Sequence, residues 1–513
     1  MRRSLYRITC LSLGLLILSG CVTFQPRVTE VMPEPANVQA FSRLAKVLPV
    51  PENTEPDESG NLLIRNGELA LRARVALIQS ADNSIDVQYF LWKNDQTGRY
   101  LIKQLLEAAE RGVDVRLLLD GWITQDLNGL LAWVDEQPNI EVHFYNPFLA
   151  ETNIGRALNL ATDFDRLNRR MHNKSFTVDG VATITGGRNV SDSYFFHHPE
   201  VNYLDADVLS IGPVVNQVSE SFNEYWHNRM TVPAAELSYS NIDDEERTAI
   251  ANQLAGDHFE PDNQPESVEA FLMDIHSQMV WAPTRFVADK AGVRDPSVGD
   301  LPKTAAQELA DLVRNTEREM LIESAYLVLS PEVTEYLSDK QRSGVRVRFL
   351  TNSMASNTVF LNHASYAKYR ENIVASGIEL YEAKPLIDTC QLGYIAAGHC
   401  SQSQRISLHT KTAVFDERFV YAGSFNFNLR SAYLNTESAL IIDSVEMAAQ
   451  LKQQMRNLMT LKASWQPKFL GDELLWMTIE DNELIETREE PNTTALERFG
   501  AEILSRVPGA EYY

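Results

Sequence analysis

The chain has 513 residues, too many for one typical core, and its 44% hydrophobic and 23% charged composition excludes extensive disorder. A formal charge of −24 argues against a general nucleic-acid binder, because a phosphate backbone calls for clustered Lys and Arg. It leaves room for a local basic pocket that grips a single phosphate.

In chain order, residues 1–20 read as a secretory signal. Arg2, Arg3 and Arg7 precede an apolar run from Ile8 to Leu18 that is too short to span a bilayer. Leu18-Ser19-Gly20-Cys21 resembles a bacterial lipobox, which implies acylation of Cys21 and a membrane held by lipid. The expected location is a periplasm-facing membrane of a Gram-negative bacterium. Val22 in place of Asp after the cysteine favours the outer membrane over the inner. Residues 21–60, rich in Pro, Glu, Asn and Asp, read as a flexible tether.

ELALRARVALIQSA then has helical periodicity, SIDVQYFLW reads as a strand, YLIKQLLEAAERG as a helix and VDVRLLLD as a strand. This alternation predicts an α/β layer sandwich over 61–232. Residues 233–300 are polar and irregular and read as a linker or insertion. Over 301–465 the same order returns in AAQELADLVRNTE, MLIESAYLV, VTEYLSDKQRSG and VRVRFLTN. Gly112-Val113 and Gly344-Val345 are 232 residues apart, which indicates a tandem duplication. Residues 466–513 read as an acidic tail. With Cys10 in the leader and Cys21 acylated, Cys390 and Cys400 remain. In an oxidising compartment they are expected to form a disulfide closing a short loop, with two free buried thiols as the alternative.

The duplication carries chemistry. MHNKSFTVDG at 171–180 is answered by LHTKTAVFDE at 408–417, and the two histidines are 237 residues apart. On a strand His172 and Lys174 face one way, as do His409 and Lys411, whereas Asp179 and Asp416 have opposite parity and suit turns. After six intervening residues each Asp is followed by Gly186-Gly187 or Gly423-Ser424, and two positions beyond that pair comes Asn189 or Asn426. Small residues permit close approach of a ligand, and amides can hold an anionic oxygen. Aligning LDADVL with LNTESA sets Asp207 opposite Glu437, two carboxylates able to orient an imidazole. No histidine has convincing metal-ligand spacing, so neither metal nor cofactor is expected.

HNKSFTVDGVATITGGRN and HTKTAVFDERFVYAGSFN resemble the paired HKD motifs of the phospholipase D superfamily, and the resemblance spans roughly residues 60–465. TDFDRLNRRMHNKSF, GGRNVSDSYF and TNSMASNTVFLNHASYAKYR are most similar to its cardiolipin synthase C branch, from which the lipobox and acidic tether depart. The resemblance implies two homologous α-β-α sandwich halves with mixed sheets, related by a pseudo-twofold axis that brings both His-Lys pairs to one site. It implies His172, Lys174, Asp179, His409, Lys411 and Asp416 as the catalytic motif, with Asn189, Asn426, Ser424 and Gly187 at the phosphate. His172 is then the nucleophile of a phosphohistidine intermediate and His409 the acid and base. The implied reaction makes cardiolipin from phosphatidylglycerol and a second phospholipid, phosphatidylethanolamine or phosphatidylglycerol. Hydrolysis to phosphatidic acid is the alternative. The implied partners are phospholipids and the membrane, with the need for an accessory protein left open, and no nucleic acid.

Overall fold

Strands and helices alternate along the chain, and the passages 84–120, 114–145, 319–352 and 346–383 each lay a second strand parallel to the first across an intervening helix. The computed structural model describes residues 42–122, 127–148, 153–237, 241–261, 267–292, 304–385, 404–507 and 512. The leader, Cys21 and the Cys390–Cys400 pair lie outside the described residues.

The first half contains β1 (Glu58–Ile64), β2 (Ser84–Tyr89), β3 (Asp114–Asp120), β4 (Ile140–Tyr145), β5 (Ser175–Val178), β6 (Ala182–Gly186), β7 (Val201–Leu204), β8 (Asp207–Ile211) and β9 (Thr231–Pro233). All but β7 join one sheet in the order β9-β4-β3-β2-β5-β6-β8-β1, parallel across β4-β3-β2 and antiparallel elsewhere. After β10 (Val280–Ala288), the second half contributes β11 (Glu319–Ser324), β12 (Arg346–Asn352), β13 (Glu379–Ala383), β14 (Arg405–Leu408), β15 (Lys411–Phe415), β16 (Phe419–Gly423), β17 (Ser438–Asp443) and β18 (Ser464–Leu470). Its order, β17-β16-β15-β11-β12-β13-β18, repeats the first. β10 joins the two sheets: Val280 to Pro283 pair with β1, and Thr284 to Ala288 with β17.

The period of two along the strands makes the layers. Met320 and Ile322 pack with Leu309, Leu337 and Ile373 from the helices Thr304–Asn315, Pro331–Arg342 and Phe360–Ala375. Leu321 faces the other way, toward Met447, Leu451 and Met455 of the helix Val445–Leu458. In the first half Ile85 and Val87 pack with Leu71 and Leu101, while Leu118 meets Phe222 and Trp226. Each half is therefore a helix-sheet-helix sandwich.

Three segments differ from the sequence reading. The tether ends earlier than residue 60: Arg43–Val47 is helical, capped by Ser42, and β1 begins at Glu58. The polar stretch 233–300 holds helices Asp244–Gly256 and Val268–Ser277 as well as β10. Its acidic run is a helix start, with Asp243 capping Glu246 N and Asp244, Glu245 and Glu246 in the first turn. Residues 466–513 are not a tail. β18 continues into β19 (Glu473–Glu480) and β20 (Glu483–Thr487), and the helix Ala495–Leu504 follows. Trp476 of β19 donates Nε1–H to buried Glu382 at 2.8 Å, tying this extension to the second half. Among the described residues, no helix is long and apolar enough to cross a membrane.

Candidate active site

The two motifs are strand entrances rather than strand interiors. β5 begins at Ser175 and β15 at Lys411, so each histidine lies just before its strand, where a backbone bond to the opposite half holds it. His172 N donates to Thr436 O at 2.9 Å, and His409 N donates to Leu204 O at 2.7 Å. β7 and β14 also pair in parallel, one strand from each half. Both His-Lys pairs are thereby carried to the seam between the halves, and all four side chains are buried.

The carboxylates are exchanged across that seam. His172 Nδ1 meets Glu437 Oε2 of the second half at 2.8 Å, and His409 Nδ1 meets Asp205 Oδ2 of the first half at 2.6 Å. Asp207, the residue expected beside an imidazole, is not the partner. It takes Nη2–H of Arg74 at 2.9 Å and lies near Arg188, both fully buried. Sheet register is the cause. Gly186 pairs with Asp207 and Gly423 with Ala439, so the residue equivalent to Glu437 is Asp205, two positions before Asp207. Counting back from each glycine along its hairpin would have found it.

The small residues make room for and bind these carboxylates. A Cβ on Gly187 would lie 2.3 Å from Asp205 Oδ1, so only glycine leaves the carboxylate its place. At the equivalent position, Ser424 Oγ donates to Glu437 Oε2 at 2.5 Å. Ser431 Oγ donates to the other oxygen at 2.6 Å. Asn189 Nδ2 donates to Tyr194 OH at 3.0 Å, and that hydroxyl is 3.3 Å from His409 Nε2. Asn426 is buried with Oδ1 unpartnered among the described residues. Asp205, Tyr194 and Ser431 escaped the sequence reading, as did the edge-on contact of Phe90 with His172 at 4.9 Å.

Burial sets the electrostatics. It pulls the His172 imidazole down to about 4, and Glu437 offsets only part of that effect. It takes His409 to about 3, with Lys411 adding to the fall and Asp205 opposing it. Lys174 comes down to about 7 and Lys411 to about 8, again through burial. Burial alone would raise the carboxyls of Glu437 and Asp205, but the adjoining imidazoles and lysines bring both below their ordinary range. Near neutrality each imidazole is uncharged and gives its Nδ1–H to a carboxylate, leaving Nε2 with a lone pair. In the free enzyme, kcat/KM is expected to fall as pH drops through about 4, where His172 takes a proton. The acid role that the sequence implies for His409 needs a proton that the free enzyme's imidazole holds only at about pH 3 and below. So kcat/KM should decline above about 4 and more steeply through about 7 and 8, where the lysines lose their charge. A kcat/KM profile with its alkaline limb near 10 would contradict this assignment.

Asp179 and Asp416 sit at the far ends of their strands, both with φ of 52°, and bind backbone. Asp179 accepts from Asp82 N, Asn83 N and Ser84 N and from Ser42 Oγ. Asp416 accepts from Glu317 N, Arg318 N and Glu319 N. They fix the loops entering β2 and β11 and do not approach the imidazoles, so the motif's catalytic set reduces to its histidines and lysines. Asp179→Ala is expected to cost about 2–5 kcal/mol, because it leaves buried donors unsatisfied. Asp416 is only half-buried, so water can replace it and the loss should be smaller. Urea unfolding midpoints of the two variants make the comparison.

Two uncharged imidazoles, each steered by a carboxylate and flanked by a lysine, form a site equipped for nucleophilic and acid-base chemistry on a phosphodiester. That chemistry is the class of the phospholipase D superfamily. The family described as "Cardiolipin synthase, PLD-like domain" matches residues 75–226 and 309–459, one segment in each half. Cardiolipin synthase C of Escherichia coli K12 is 36% identical over 463 residues, covering 88% of this chain and 96% of that protein. Cardiolipin synthase A of Pseudomonas entomophila is 24% identical over 77% of this chain and 67% of its own. The crystal structure of phosphatidylserine synthase from Haemophilus influenzae shares the fold, with a TM-score of 0.55 and 13% identity, over 90% of this chain and 95% of that one. The chain belongs to the PLD-like cardiolipin synthase family and is a phosphatidyltransferase of the phospholipase D superfamily.

Proposed function

We propose that this protein makes cardiolipin from phosphatidylglycerol and a second phospholipid, phosphatidylethanolamine or phosphatidylglycerol, through a phosphohistidine. The observation that carries this reading is the crossed pair of imidazoles and carboxylates with a lysine beside each. His172 Nε2 attacks phosphorus while Lys174 and Lys411 offset the charge that builds on the non-bridging oxygens. The P–O bond to the headgroup breaks, and the departing alkoxide takes a proton from His409. The incoming phosphodiester supplies the negative charge that favours this imidazolium. His409, now neutral, removes the proton from the terminal hydroxyl of phosphatidylglycerol. That oxygen displaces His172 from phosphorus, giving cardiolipin and the free enzyme. One phosphodiester replaces another, so no nucleoside triphosphate is required. An acylated Cys21 would hold the enzyme at its lipid pool, at the periplasmic face of the outer membrane.

The test is the purified protein with phosphatidylglycerol and headgroup-labelled phosphatidylethanolamine. Equal amounts of released ethanolamine and new cardiolipin are expected. Phosphatidic acid without cardiolipin would make the enzyme a hydrolase.

A further inference from the structure

Beyond the reactive centre, the C-terminal helix Ala495–Leu504 presents its apolar residues outward. Thr494 and Glu497 form a reciprocal N-terminal cap, so the helix is built to persist. Ala501 is its buried contact, packed with Met354, Ala364 and Leu504. Leu496, Phe499, Ile503 and Val507 recur at helical spacing on the opposite side and are 79%, 59%, 52% and 44% exposed. Val359 and Phe360 extend this surface, both more than a third exposed, with the Phe360 ring against Gly500. The support beneath is rigid: Glu490, just before the helix, is buried against Arg370 at 2.5 Å and His363 at 2.6 Å.

A short run of contacts connects this surface to the active site. Tyr203 OH donates to Thr358 Oγ1 at 3.4 Å, one residue before Val359, and the Tyr203 ring lies 5.5 Å from His409. Its charge also differs from that of the whole chain. Residues 495–507 carry Glu497, Arg498, Glu502 and Arg506, a net charge of zero within a protein of −24. Arg506 pairs with Glu502, and Arg498 with Glu489 just outside the helix. An anionic bilayer, which would repel most of this protein, meets no more than one net negative charge here once Glu489 is counted with Arg498.

We propose that this ridge is the face on which the enzyme seats itself on a phospholipid bilayer, with the helix lying in the interface and the His409 side of the site toward the lipid. The proposal rests on the phospholipid substrate assigned above. It adds a docking surface independent of the N-terminal anchor, one that sets orientation where an anchor sets only proximity.

Hydrogen exchange of the full chain, with and without vesicles of phosphatidylethanolamine and phosphatidylglycerol, tests it without relying on turnover. Protection is expected in peptides covering 357–361 and 495–507, and it should disappear in the double variant Phe499→Glu, Ile503→Glu. Both positions are exposed, and an unchanged urea midpoint will show that the variant folds. The variant should also lose about tenfold or more activity on vesicles while keeping its activity on dispersed short-chain phosphatidylglycerol. Vesicle-bound protein without protection there would overturn the proposal. So would protection that grows with protein concentration in the absence of vesicles, the sign of a second copy on the ridge. Protection without any lipid turnover would sustain the ridge and sink the assigned reaction; turnover without protection would do the reverse.

Discussion

His172→Ala is expected to lower turnover by about 10⁴-fold or more and to leave no covalent adduct. His409→Ala should be comparably slow overall, but with a different signature. A substrate carrying a good leaving group needs no general acid, so it should phosphorylate His172 in this variant. The adduct should then persist, because no base remains to activate the acceptor hydroxyl. Intact-protein mass spectrometry after mixing with such a substrate separates the cases. A trapped phosphatidyl group in His409→Ala and none in His172→Ala supports the assignment, and the opposite pattern reverses the two roles. The surroundings already differ, since Tyr194 touches His409 Nε2 whereas His172 has the apolar edge of Phe90.

The second large effect concerns the exchanged carboxylates. Asp205→Asn and Glu437→Gln should each lower kcat by about 10²–10⁴-fold, because an amide can no longer hold the required tautomer or stabilise an imidazolium. KM should change little. Asp207→Asn should do something else: it weakens a fully buried ion pair with Arg74, with an expected loss of about 3–5 kcal/mol in unfolding free energy. The fraction that folds should keep its kcat. If Asp207→Asn proved the more damaging to kcat at full stability, the pairing of Asp205 with His409 would be refuted.

How far such a site can be read from sequence depends on the range of the interaction. The two His-Lys pairs and the repeated order of helices and strands are local patterns that recur, so repetition reveals them. The family match and the two-segment layout agree with that reading. Asp205 is a different matter. Both LDADVL and LNTESA contain an acid after leucine, and only the hairpin register of Gly186 and Gly423 shows that the matching acids are two residues out of step. The crossing of carboxylates between halves is more distant still, since no residue in either half announces which half its partner occupies. The C-terminal extension was missed for another reason. β20 has no buried residue and so no period of two, and the helix after it turns apolar side chains to solvent, against the usual sense of amphipathic patterning.

The crossed carboxylates also bear on when the protein becomes active. A chain that has completed either half alone holds an imidazole without the carboxylate that steers it, whichever half that is. Each half alone also lacks the other half's imidazole and lysine, so neither contains the complete site. Docking of the halves, which β10 and the β7–β14 pair close together, is the event that assembles both imidazole-carboxylate pairs at once. The site is thus a property of the seam and of neither half by itself.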